Sequence, residues 1–329
     1  MPNFLAANWA NCWVHCPGFA RLNTEISVPF EATERQIEGT AIHASVARFC
    51  TEGKEDAYTA EFGKPFYALV AADQCGFETP LSADWLVSGY RIRIDGWNFK
   101  SGVLTVFELK TGWTPVSAVI NPTLLIYALT LADHLQPKSI KLAVFQPRVN
   151  KETPETFTLG PDPDAYKEWV RKRYAMAKQG AELNPGPHCG FCPNRAACPA
   201  LRGSTGVALD FAYGYSAKAP SPGEIGSEIE ILRNAAKRIK DRLSGLEQLA
   251  THRIERGVPI PGFELTRGWS NRKWRDPDAA RYILTALGIS PENGRIISPA
   301  QAERRGVSKE IIAELSERKA TTPTLTQIK

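Results

Sequence analysis

Residues 101–112 read SGVLTVFELKTG, and the fold turns on how this run is taken. Val103, Leu104, Val106 and Phe107 predict a strand. It runs into Glu108 and Lys110, an acid and a base two residues apart. Side chains two apart on a strand face the same way, so the pair lies either on a solvated edge or in a cleft. Upstream, WLVSGYRIRIDGW (85–97) alternates, with Tyr90, Ile92 and Ile94 on one face and Arg91, Arg93 and Asp95 on the other. A turn at NFKSG (98–102) joins the two runs and predicts an antiparallel hairpin. In that hairpin Asp95 lies near Glu108 and Lys110. Two unpaired carboxylates at that separation repel. A divalent cation removes the penalty, because Mg²⁺ accepts one or two carboxylates while keeping its waters. A plain Glu108–Lys110 surface pair on an edge strand is the competing reading.

Working outward, EGTAIHASVARFC (38–50) reads as a helix from the spacing of Ile42, Val46 and Phe49. NPTLLIYALTLADHL (121–135) reads as a helix starting near Asn121 with Pro122 at its first position. IKLAVFQP (140–147) is a strand, and DPDAYKEWVRKRYAMAKQG (162–180) an amphipathic helix ending in Gly180. Strands and helices alternate, so the fold class expected is α/β, with a central mixed sheet flanked by helices.

RGSTGVALDFAYGYSAKAPSPG (202–223) reads as a linker. Beyond it Ile225, Ile229, Leu232, Ala236, Ile239, Leu243, Leu246 and Ala250 form a heptad stripe, opposite Arg233, Lys237, Arg238, Lys240 and Arg242. The stripe suits a helix packed on its own domain or a dimerising coiled coil, with Gly245 costing about 1 kcal/mol in its interior. The domains expected are 1–201, closed by cysteines, the linker 202–223, and a mainly helical region over 224–329. In the last of these RGWSNRKWR (267–275) interleaves Arg267, Arg272, Lys273 and Arg275 with Trp269 and Trp274, a pattern suited equally to nucleic acid and to an ordinary strand.

The 329 residues carry 40 Lys and Arg against 35 Asp and Glu, a net +5 that leans only mildly toward polyanions. No run reaches the roughly 18 apolar residues of a membrane span, and MPNFLAANWANCWVHC lacks the build of a signal peptide. The expectation is a cytoplasmic protein with no membrane partner. Three of the seven cysteines, Cys189, Cys192 and Cys198, crowd into ten residues. In a reducing compartment that pattern indicates metal rather than disulfides. Three thiolates do not close a tetrahedral site, so a fourth ligand comes from elsewhere, and Cys12 and Cys16 are on offer. Cys50 and Cys75 read as buried small hydrophobes.

With Glu108-Leu109-Lys110 thirteen positions after Asp95, and His43 in EGTAIH, the chain resembles the RecB-like branch of the PD-(D/E)XK nucleases. That branch also has a helix with Gln and Tyr four apart; here Tyr127 is present and Thr123 stands at the Gln position. CPG at 16–18 together with the later trio resembles the members that hold an iron-sulfur cluster, such as AddB-type helicase-nucleases and CRISPR-adaptation nucleases. The resemblance implies a restriction-endonuclease-like core. It further implies Mg²⁺ or Mn²⁺ held by His43, Asp95, Glu108 and the Leu109 carbonyl, with Lys110 and Tyr127 catalytic. It implies a 4Fe-4S cluster on Cys16, Cys189, Cys192 and Cys198, with Cys12 in reserve and zinc as the runner-up. The function so implied is a metal-dependent deoxyribonuclease, an exonuclease or end-processing enzyme for phage recombination, replication or repair. Its partners are linear duplex ends or single-stranded DNA and a single-strand annealing or recombination protein. The alternatives are a DNA-binding or recombination-partner module with weak turnover, and a redox iron-sulfur protein.

Overall fold

Val103–Leu109 is the central strand of a five-stranded mixed sheet in the computed structural model, which describes residues 3–25, 34–150, 153–213, 221–289, 296–321 and 323–328. The spatial order follows the chain: β1 (Cys75–Ser82), β2 (Arg91–Lys100), β3 (Val103–Leu109), β4 (Ser139–Phe145) and β5 (Glu155–Thr158). β3 and β4 run parallel and the other neighbours antiparallel. The β2–β3 hairpin turns at Ser101 and Gly102, with φ of 50° and 81°. A two-residue turn of this left-handed kind matches the twist of the strands it joins.

A parallel pair needs a crossover, and α5 (Pro122–Leu135) supplies it. The Asn121 side chain accepts hydrogen bonds from the Thr123 and Leu124 amides at 3.1 and 3.3 Å, and Pro122 opens the helix, as the sequence predicts. After the short α6 (Pro147–Asn150), Asp162 caps α7 (Pro163–Gln179), and Gly180, at φ 67°, closes it. Together with the short α1 (Ala10–Trp13) and α2 (Phe19–Glu25), α5 and α7 cover one side of the sheet, where Ile92, Ile94, Leu104 and Val106 meet Leu124, Leu125 and Val170. The other side packs Phe107, Leu109 and Phe145 against Ile42 and Val46 of α3 (Glu34–Glu52) and Phe66 of α4 (Lys64–Val70). β3 thus alternates between two apolar layers, which explains why its sequence lacks the polar face of a half-exposed strand. Cys50 and Cys75 are half-buried against the second layer rather than fully buried.

β1 was not visible in the sequence. Gly76 and Pro80 read as breakers, yet β1 is an edge strand, where proline is tolerated. The expected linker also differs. Residues 199–213 form α8 (Pro199–Tyr213), 214–220 lie outside the described residues, and the two compact units are 1–246 and 247–329. The division therefore falls within α9 (Pro222–Glu255). Its first part packs on the cysteine segment, where Arg238 donates to the Ser204 hydroxyl at 2.8 Å and Arg242 to the Ala196 carbonyl at 3.1 Å. A Cβ on Gly245 would lie 2.6 Å from Arg195 Cγ and 2.9 Å from the Ala196 nitrogen, so glycine is what lets the helix sit this close. The packed side thus runs through Ala235, Arg238, Arg242 and Gly245, while Ile225, Ile229, Leu243 and Leu246 of the heptad stripe stay exposed.

In the second unit α10 (Pro277–Ala286), α11 (Pro299–Arg304) and α12 (Lys309–Leu315) surround a small core of Leu284, Ile297, Ala302, Val307 and Ile312. Two short antiparallel pairs add strand structure to the helical region expected: β6 (Phe263–Thr266) with β9 (Thr324–Gln327), and β7 (Lys273–Trp274) with β8 (Ser316–Glu317). Trp274 packs on this core and donates to the Ile297 carbonyl at 2.6 Å, and Arg272 pairs with Glu303. Of the interleaved segment these two are structural, whereas Trp269 is exposed. Among the described residues no helix is long and apolar enough to cross a membrane.

Candidate metal centre and cysteine cluster

The candidate site gathers at the middle of the β1–β2 pair. The ladder that sets Phe77 against Gly96 and Thr79 against Ile94 brings Glu78 level with Asp95. The register that sets Gly96 against Phe107 brings Asp95 level with Glu108. α3 lays His43 over them. His43, Glu78 and Asp95 each offer a ligand atom, and the three atoms lie within 4.8 Å of one another. His43 Nδ1 is 4.0 Å from Asp95 Oδ2, and the same oxygen accepts the Leu109 N–H at 2.8 Å. These four residues line one small pocket open to solvent.

Glu108 is buried beside this group. Its Oε1 accepts from Lys110 Nζ at 2.5 Å, while its Oε2 has no hydrogen-bond partner. A buried carboxylate oxygen without a donor is costly, and it fits a cation, as does the imidazole-plus-carboxylate donor set. The structure thus brings His43, Asp95 and the Leu109 backbone together, with Glu108 alongside and tied to Lys110. Glu78 was missed in the sequence because it sits in the unrecognised edge strand; the acid of CGFETPLS was the available signal, hidden between Gly76 and Pro80.

Burial and then the Glu108 charge raise the Asp95 carboxyl well above its usual range, against the Leu109 N–H and Lys110. Burial lowers the His43 imidazole, Lys110 lowers it further, and Glu108 and the Leu109 backbone oppose. His43 is accordingly a neutral ring able to act as a ligand near pH 7. Burial pulls Lys110 down, but Glu108 and Asp95 outweigh it and hold the ammonium above its ordinary value. Burial, with Glu108 and Asp95 next, raises the Tyr127 phenol, so it stays a protonated donor close to the carboxylates. Thr123 is buried and its hydroxyl donates to the Ala7 carbonyl at 3.0 Å, which ties α5 to the N-terminal segment.

The cysteines gather elsewhere in the first unit. Cys16, Cys189, Cys192 and Cys198, all buried, ring a small cavity of about 20 Å³. Each sulfur receives an N–H: from Asn184 to Cys16 at 3.4 Å, Gly186 to Cys189 at 3.3 Å, the Asn23 amide to Cys192 at 3.6 Å and Leu201 to Cys198 at 3.4 Å. Such donors favour a thiolate over a thiol. Cys12 differs, because its own S–H points to the His188 carbonyl at 4.0 Å. Burial pushes the Cys192 thiol up to about 11 and raises Cys16 and Cys189, with the N–H donors opposing. Among the described residues no three cysteine sulfurs lie within 4.8 Å of one another.

Residues 97–327 match the family described as "Protein of unknown function (DUF2800)". No curated protein matches the chain. Among solved structures, that described as "Crystal structure of SSO0001" is 15% identical, with 58% of this chain and 85% of that chain covered at a TM-score of 0.33, a likeness too loose to bear on fold or activity.

Proposed function

The chain belongs to the DUF2800 family, whose description assigns no activity, and from the site itself we propose that it is a divalent-metal-dependent deoxyribonuclease of the PD-(D/E)XK, RecB-like kind. The observation that carries this reading is the buried pairing of Glu108 with Lys110 beside His43 and Asp95, with one Glu108 oxygen left unsatisfied. His43, Asp95, the Leu109 carbonyl and the free Glu108 oxygen would hold Mg²⁺ or Mn²⁺. A cation there supplies Lewis-acid activation of water and neutralises charge building on a phosphodiester. Lys110, kept charged by Glu108, orients the attacking water and stabilises the pentacovalent phosphate. The Tyr127 hydroxyl offers a further donor to a phosphate oxygen. The activity proposed is that of an exonuclease or end-processing enzyme in phage recombination, replication or repair.

The four cysteines with N–H donors support a structural metal group that joins residue 16 to the 189–198 segment. A 4Fe-4S cluster is the group proposed there, with zinc as the alternative that a Cys₄ set also accepts. One observation favours the second reading, a DNA-binding module with weak turnover: Thr123 spends its hydroxyl on Ala7 and offers nothing to a substrate.

The test is cleavage of end-labelled linear duplex and single-stranded DNA with Mg²⁺, Mn²⁺ or EDTA. Shortening that requires the metal supports the nuclease. Retention of DNA without any cutting in either metal supports the binding module.

A further inference from the structure

Glu78 stands at the one level where both β1 and β2 leave regular geometry. Its φ is 45°, a left-handed conformation unfavourable for any residue but glycine. At the same level β2 exchanges faces: Ile94 lies in the core under α5, whereas a Cβ on Gly96, two residues on, would meet Val70 and Phe66 of the opposite layer. A regular strand keeps residues two apart on one face.

The kink delivers the Glu78 carboxylate to within 4.8 Å of the His43 and Asp95 ligand atoms, on the wall of the pocket they share with Leu109. Beside this group lies the unpartnered Glu108 Oε2, on a residue 8% exposed, whose charge acts on both Asp95 and His43. Three carboxyl groups, those of Glu78, Asp95 and Glu108, thus gather about one imidazole, and the ammonium of Lys110 beside them is already committed to Glu108. The competing partner of Glu78 is Arg93, 3.8 Å away, with its side chain mostly in solvent.

We propose that Glu78 is a further direct ligand of the divalent cation held by His43 and Asp95, in addition to the Glu108 oxygen and the Leu109 carbonyl already assigned to it. The inference rests on the metal reading above and adds a residue to it. One nitrogen among oxygens suits Mn²⁺ better than Ca²⁺.

The test uses the full chain with its cysteine group intact, freed of loosely bound divalent ions and titrated with Mn²⁺ while free Mn²⁺ is followed by electron paramagnetic resonance. Glu78→Gln is expected to weaken binding at least about tenfold, and Arg93→Ala to bind as wild type does. Glu78→Gly separates ligation from architecture. Glycine accepts the left-handed backbone, so the metal-free Tm holds or rises by about 2–4 °C, while the rise in Tm on adding Mn²⁺ disappears. Wild-type affinity in both Glu78 variants overturns the assignment of Glu78 alone, and so does a loss in Arg93→Ala equal to that in Glu78→Gln. A wild-type chain that binds no Mn²⁺ overturns the metal reading together with it.

Discussion

Glu108→Gln lowers metal-dependent cleavage of linear DNA by about 10²–10⁴-fold on this account, with DNA affinity and the circular dichroism spectrum unchanged. The substitution keeps shape and an acceptor for Lys110 but removes the charge that two neighbours depend on. Lys110 is held above its ordinary value only because Glu108 and Asp95 outweigh the effect of burial, so a neutral residue at 108 lets burial favour the uncharged amine. The unsatisfied Oε2, a ligand in this reading, becomes an amide. Lys110→Ala produces a comparable loss by another route, since it leaves both Glu108 oxygens without a donor. Because that orphaned carboxylate also costs stability, Glu108→Gln is the cleaner of the two. A residual rate within threefold of wild type in Glu108→Gln contradicts the role assigned to this pair.

The second large effect concerns the cysteines. Cys16→Ser is expected to abolish bound metal and lower Tm by about 10–20 °C, while Cys12→Ser leaves both unchanged. A group joining Cys16 to Cys189 closes a span of 189 − 16 = 173 residues. The chain-entropy cost such a link removes from the unfolded state is about 5 kcal/mol, and each kcal/mol shifts Tm by about 2–4 °C in a domain of this size. The choice between the two N-terminal cysteines follows from their hydrogen bonds: the Asn184 N–H points at the Cys16 sulfur, whereas the Cys12 S–H points at a carbonyl. Metal content and the visible spectrum of anaerobically purified protein read the outcome. Brown protein containing iron supports the cluster, and colourless protein containing zinc supports the runner-up. Loss of metal in Cys12→Ser with retention in Cys16→Ser contradicts the assignment of ligands.

What could be read from the chain was local. The hairpin announces itself by alternation and a turn, and α5 and α7 by the caps Asn121, Asp162 and Gly180 that the structure shows in place. β1 was hidden because its glycine and proline carry breaker signals that only an edge position overrides. The packed side of α9 is not the one its apolar heptads suggest: the close approach is made through Ala235 and Gly245, with Arg238 donating to the Ser204 hydroxyl and Arg242 to the Ala196 carbonyl. Within the candidate site, His43, Asp95 and Leu109 were named from the sequence and the structure brings them together. Glu78 could not be named, because its place depends on a kink with positive φ in a strand that was itself invisible. Cys12 and Cys16 could not be separated, because what separates them is which amide reaches which sulfur.

The most direct measurement is the position of Mn²⁺ by anomalous diffraction from crystals of the protein soaked in the metal. The account predicts a peak among the His43 imidazole, the Asp95 carboxylate and the Leu109 carbonyl, within coordination distance of Glu108 or Glu78. No peak there at Mn²⁺ concentrations that support cleavage, or a peak held only by residues outside this group, contradicts it.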